Sequence, residues 1–161
     1  MTTDGWPEDW AERKAGRDCP MCASLGLGDN DHTVTIAELA HAEVRLERRS
    51  KLPGYCIVVW RHRHVAEPYE LPAVEATGYW SDVTTVARVL EGLYRPAKVN
   101  LFTLGNWVPH LHTHVVPRPY EGDVAPGGPL PWDELFTESP NDPGQLRQEA
   151  GAIRQALLDG G

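Results

Sequence analysis

The spacing of apolar residues changes period three times along the 161-residue chain. The runs "TVTIAEL" (33–39), "AEVRLERR" (42–49) and "YCIVVW" (55–60) are β-branched or alternate apolar with polar residues, and each predicts a strand. "LPG" (52–54) marks a turn before the third, and such short connections favour an antiparallel meander. From 72 to 94 the period lengthens: Pro72 suits a first helical position, and Val83, Ala87, Leu90 and Tyr94 recur at helical spacing. This is the predicted main helix, packed on the sheet.

Alternation returns in "KVNLFTL" (98–104) and again in "PHLHTHVVPR" (109–118), with "GNWVP" (105–109) between them, so the last two strands read as a hairpin. Residues 120–144 are rich in Pro, Gly and acids and predict a loop lying over the surface. Helical spacing reappears at 145–158, with Leu146, Ala150, Ile153 and Leu157 on one side. A short surface helix is expected over 6–16, followed by a tight knuckle at "DCPMC". The expectation is an α+β single domain spanning 1–161, with about five antiparallel strands, one main helix and a short C-terminal helix.

Composition narrows the class. Apolar residues make up 41% and charged residues 24%, as in an ordinary globular protein. A net charge of −8 disfavours nucleic acid and anionic membrane as partners, so an anionic substrate must be met by local groups. The acidic start "MTTDGWPEDW" lacks a signal-peptide core, no apolar run reaches the roughly 20 residues of a membrane span, and a cytoplasmic location follows. Cys19, Cys22 and Cys56 cannot make a disulfide framework; a reducing compartment favours metal binding or free thiols, with Cys56 a small buried residue of its strand.

The densest chemistry is the row His110, His112 and His114. On a strand, alternate residues share a face, so all three rings are expected to line one surface. His110 and His114 then stand roughly 13 Å apart, too far for one metal ion to bind both. A row of imidazoles better suits an extended anion such as a phosphate chain, one ring attacking and its neighbour handling protons and charge.

"HLHTHVV" resembles the histidine triad (HIT) signature, with Thr113 a weak match among its hydrophobic positions. Pro117, Arg118 and "NLFTLGNWVP" are also similar to that family, as is "GYCIVVWRHRHVAEPYEL" (54–71), so the likeness covers roughly residues 19–118 and leaves 119–161 as an extension. The resemblance implies an antiparallel α+β fold, a homodimer, and a nucleotidyl hydrolase or transferase in which the middle histidine, here His112, attacks the α-phosphorus and carries the nucleotidyl group. Imidazole suits this role because it is largely neutral near pH 7, and a bond from its other ring nitrogen to a backbone carbonyl would fix the tautomer.

By the same likeness His114 contacts the phosphate or protonates the leaving group, and Asn106 stands where the family commonly has glutamine, its amide able to donate to a phosphate oxygen. Asn100 and Gly105 are candidate substrate contacts, with turn formation an even alternative. Arg118 reads equally as a phosphate ligand or as a structural ion pair. Some HIT proteins hold a structural zinc with a cysteine pair, a histidine of the second block and the first triad histidine; carried over, these are Cys19, Cys22, His64 and His110. His32 or His41 could instead complete such a site, and "RHRH" offers His62 beside His64. A divalent cation accompanying a polyphosphate is also compatible.

The implied activity is hydrolytic release of a nucleoside 5′-monophosphate, AMP foremost, from a dinucleoside polyphosphate or related conjugate. Trp107 stands where phosphoramidate-cleaving members carry a small hydroxyl residue, which tilts the expectation to polyphosphates. The alternatives are a nucleotidyltransferase or phosphorylase, and an inactive nucleotide- and zinc-binding protein.

Overall fold

A computed structural model describes residues 5–160, so the first four residues of the acidic start and the last residue lie outside the described region. Five antiparallel strands form one sheet: β1 (Thr33–Glu38), β2 (Ala42–Glu47), β3 (Cys56–Trp60), β4 (Lys98–Phe102) and β5 (His112–Arg118). Their order is β1-β2-β3-β5-β4, a meander followed by a hairpin whose second strand inserts beside β3. The meander and the hairpin match the sequence reading, with strands one to three residues shorter, the last beginning at His112.

The helices are α1 (Trp10–Lys14), α2 (Pro20–Ser24), α3 (Ala73–Tyr94), α4 (Trp132–Leu135) and α5 (Pro143–Asp159), with a 3₁₀ turn at Pro68–Glu70. Pro72 is the N-cap of α3, one residue ahead of the first-turn position expected for it. The knuckle at the cysteines is the helical turn α2: Cys19 caps it, accepting from Cys22 N at 3.5 Å, with Pro20 at its first position.

Strand alternation divides the core. Val34, Ile36, Val44, Leu46, Cys56, Val58, Trp60 and Val115 point to one face, where Tyr79, Val83, Val86 and Leu90 of α3 and Leu146, Ala150, Ile153 and Leu157 of α5 bury them. The main helix and the C-terminal helix expected from the sequence both back the sheet, and the apolar stripe of α5 is the surface that fits it there. Burying each such aliphatic side chain contributes about 1.5–3 kcal/mol. Thr113, the weak match in the histidine motif, also faces this side, and its hydroxyl lies 2.8 Å from both Tyr79 Oη and Thr103 Oγ1, so a fully buried polar atom is satisfied.

The opposite face carries Ile57, Val59, His112, His114 and Val116. The segment after β5 does more than cross the surface: Val124, Leu130, Leu135 and Phe136 pack over this face, with Met21 and Leu25 of the α2 region. Arg118 secures the segment. Its Nε donates to both carboxylate oxygens of Asp123 (3.0 and 2.9 Å), Nη1 to Asn100 Oδ1 (2.8 Å), and Nη2 to the Ala125 carbonyl (2.5 Å). No described helix is long and apolar enough to cross a membrane.

Candidate functional site

The three histidines do not share one strand. β5 begins at His112, and His110 sits in the preceding bend, where its N–H bonds the Val108 carbonyl (2.8 Å) and Leu111 N bonds the Val65 carbonyl (2.6 Å). That bend corrects the expectation of a continuous row: it turns His110 toward the cysteine knuckle and leaves His112 and His114 as a pair, with ring centroids 4.9 Å apart and planes at 76°.

His112 is 7% exposed. Its Nδ1–H donates to the His110 carbonyl at 2.6 Å, which fixes the proton on that nitrogen and leaves the Nε2 lone pair unprotonated. Burial also holds the imidazole below its ordinary pKa, so the ring stays neutral at physiological pH. A neutral imidazole with a pinned Nδ1–H and an open lone pair has the electronic state a nucleophile needs.

His114 pairs through Nδ1 with the Tyr55 hydroxyl at 2.9 Å, and burial, followed by the proximity of His112, pushes its pKa down to about 3. Trp132 of the covering segment meets it edge-on, centroids 5.5 Å apart, while Phe136 packs against Tyr55. Phe102 of β4 and Ile57 of β3 pair with His114 in register, and Arg45 pairs with Ile57 on the next strand. Glu47, on the same face of β2 and opposite Tyr55, has its carboxyl raised above the usual range by burial.

Gly105, at φ +71°, and exposed Asn106 and Trp107 form the loop leading into the site. Trp107 is 89% exposed. It lines a cavity of about 440 Å³ with Arg13, Arg17, Asp9 and Asp18. Asn100 and Arg118 are tied to one another, and every guanidinium nitrogen of Arg118 is engaged by protein groups, so the strand-end ion pair left open by the sequence is present.

Cys19, Cys22, His64 and His110 come together, with one donor atom from each within 4.8 Å of the others. Cys19 Sγ lies 3.5 Å from His110 Nδ1, and Cys22 Sγ lies 3.4 Å from His110 Nδ1 and 3.5 Å from His64 Nδ1. Bond lengths of about 2.3 Å to sulfur and 2.0–2.1 Å to nitrogen at tetrahedral angles put such donors about 3.6 Å apart, so these separations fit zinc. The outer ring nitrogens agree with that use. His110 Nε2–H donates to the Trp60 carbonyl (2.7 Å) and His64 Nε2–H to the Lys14 carbonyl (3.0 Å), leaving both Nδ1 lone pairs facing the sulfurs.

Gly16, at φ +94°, makes room for this: a Cβ there would lie 2.8 Å from His64 Cγ. His62 instead meets the Ala40 carbonyl, His41 lies beside Asp82, and His32 is exposed; none of the three joins the cluster. Burial and the neighbouring Cys19 raise the Cys22 thiol to about 11, so a cation is what would draw off its proton.

Sequence reasoning missed Tyr55, Glu47 and Trp132. Tyr55 directly precedes β3 in a block already singled out, and strand parity puts Glu47 on the histidine side. Trp132 had no such signal, because its approach depends on how an irregular segment folds back.

The HIT domain family profile matches residues 29–120, more than half of the chain. Among solved structures, a histidine triad protein from Marinobacter aquaeolei VT8 superposes with TM-score 0.71 at 26% identity, covering 80% of this chain and 91% of its own. A zinc-bound histidine triad family protein from Mycobacterium smegmatis shares the fold at 20% identity (TM-score 0.61, 89% and 95% covered). So does a diadenosine triphosphate hydrolase from Plasmodium falciparum at 14% (TM-score 0.59, 81% and 79% covered). No curated protein matches the chain. With the signature histidines at and just before β5 and the profile spanning all five strands, the chain belongs to the histidine triad family.

Proposed function

We propose that the protein is a hydrolase that releases a nucleoside 5′-monophosphate, AMP foremost, from a dinucleoside polyphosphate or related conjugate through a nucleotidyl group carried on His112. The observation that supports this most is the 2.6 Å bond from His112 Nδ1–H to the His110 carbonyl, which presents Nε2 as an unprotonated lone pair. In the first step Nε2 bonds to the α-phosphorus as the bond to the leaving phosphate oxygen breaks. In the second, water displaces His112 and the monophosphate leaves.

His114 lies beside the reacting phosphorus, and the exposed Asn106 amide donates to a phosphate oxygen. Gly105 shapes the entry loop, while Asn100 and Arg118 act through the segment they anchor. The bulk of the exposed Trp107 favours a polyphosphate over a phosphoramidate. That the Plasmodium falciparum protein of the same fold is a diadenosine triphosphate hydrolase accords with this class.

Zinc held by Cys19, Cys22, His64 and His110 is structural in this reading, since four protein donors leave no open position for substrate. The zinc-bound Mycobacterium smegmatis protein supports the choice of metal. A homodimer accords with β4 being a sheet edge with Leu101 44% exposed, and light scattering of the purified protein tests it. Cysteines that form no disulfide among the described residues suit the cytoplasm.

Phosphorus NMR tests the activity. Wild-type protein with diadenosine tetraphosphate should release AMP, adenosine 5′-phosphoramidate should be cleaved more slowly, and His112→Ala should do neither. A folded, AMP-binding wild type that leaves both intact would contradict the reading.

A further inference from the structure

We infer that Tyr55 is a positioning residue that fixes the tautomer of His114, making it a permanent Nε2–H hydrogen-bond donor beside the nucleophile. The consequence for catalysis rests on the hydrolase reading above; the assignment of the proton does not.

Tyr55 is 1% exposed, at the entrance to β3, walled by Leu52, Leu135 and Phe136. Among the described residues its hydroxyl has one partner, His114 Nδ1 at 2.9 Å. Two arrangements would satisfy that distance. If Nδ1–H donated to the phenol oxygen, the phenolic proton would be left buried with no acceptor, which is costly. If the phenol donates, both groups are satisfied and Nδ1 is the acceptor. Burial supports the second arrangement, because it keeps the Tyr55 proton in place and keeps His114 neutral. A neutral imidazole that accepts at Nδ1 must carry its proton on Nε2.

His112 is held the opposite way, its Nδ1 donating to the His110 carbonyl. The two adjacent rings therefore present complementary atoms, a lone pair on His112 and an N–H on His114, with centroids 4.9 Å apart. Trp132, edge-on to His114, packs against the ring on another side.

This arrangement also limits what His114 does. Giving up the Nε2 proton would leave an imidazolate, or require Tyr55 to become a buried phenolate by passing its own proton to Nδ1. His114 thus stabilises negative charge by a hydrogen bond without transferring its proton. A phosphate leaving group, stable as an anion, departs without protonation, whereas an amine does not. The pair therefore deepens the preference for polyphosphate substrates.

The test is two-bond proton–nitrogen NMR of imidazole-¹⁵N-labelled protein, read without substrate, for wild type and Tyr55→Phe. Wild-type His114 should show a protonated Nε2 and an unprotonated Nδ1, and Tyr55→Phe should average the two nitrogen shifts. Turnover of diadenosine tetraphosphate should fall roughly tenfold in kcat, with KM within about twofold. A wild-type spectrum with the proton on Nδ1, or a Tyr55→Phe spectrum identical to wild type, would overturn the inference. If Tyr55→Phe does not fold, the wild-type spectrum decides alone. Absence of turnover in a wild type with the expected spectrum would count against the hydrolase reading and support the tautomer assignment.

Discussion

His110 and His112 stand two residues apart, yet the fold uses their rings in opposite senses. His110 gives its Nε2–H to the Trp60 carbonyl and turns the Nδ1 lone pair toward two cysteine sulfurs, while His64 gives its Nε2–H to the Lys14 carbonyl and turns Nδ1 toward Cys22. His112 gives its Nδ1–H to the His110 carbonyl and keeps Nε2 without a bond to protein among the described residues, on the opposite sheet face. In the proposed function, the same side chain serves as a metal ligand or as a nucleophile according to which nitrogen a backbone carbonyl holds. A carbonyl cannot leave its position without unfolding the strand end, so both states are built into the backbone.

The comparison breaks most completely at the nucleophile. His112→Ala should lower turnover by at least about 10³-fold with little change in thermal stability, because the ring's work is chemical. A variant that kept a tenth of the activity would place the nucleophile elsewhere.

The cluster should respond in the reverse order. Cys19→Ser should lose stoichiometric zinc by elemental analysis and destabilise the fold by about 3 kcal/mol or more, since a bound metal's free energy is folding free energy. The same metal content in wild type and variant would remove Cys19 from the ligand set.

A third break lies at the Arg118–Asp123 ion pair, both side chains 6% exposed. Asp123→Ala leaves a buried guanidinium without its carboxylate, and a loss of about 3 kcal/mol in urea unfolding is expected. Turnover should fall less than in the His112 variant, because the pair acts on the covering segment. An unchanged unfolding midpoint would deny the pair that role.

The smallest effect is in pH. Both His112 and His114 are held below their ordinary pKa by burial, so the folded rings stay neutral where unfolded histidines, near 6.5, take up protons. The unfolded state then binds more protons, and stability should be full above about pH 6.5 and decline as pH falls toward the folded value of His114, about 3. Turnover should fall only at a pH below the ordinary histidine value, because burial holds His112 below it; a fall centred at about 6.5 would mean that the ring is not shielded.

Much of this was legible in the chain. The β-branched and alternating runs marked the five strands because a pleated backbone favours such residues, and the stripe Leu146, Ala150, Ile153 and Leu157 marked α5 because helical spacing needs no tertiary information. The motif pointed to the cluster residues and to His112. What was not legible depended on chain reversals: the bend that takes His110 off the strand, and the return of residues 120–136 over the histidine face, which brings Trp132 to His114. Periodicity carries no information about irregular segments. The engagement of Arg118 was ambiguous for the same reason, since Asp123, Ala125 and Gly128 meet it only once that segment has folded back.

The most direct test of the central claim is a rapid acid-free quench of wild-type protein mixed with α-labelled diadenosine tetraphosphate, followed by peptide mapping. Label should appear on the peptide containing His112 within the first turnover and decay as AMP forms. Steady release of AMP with no label on the protein at any time, or label on a residue other than His112, would contradict it.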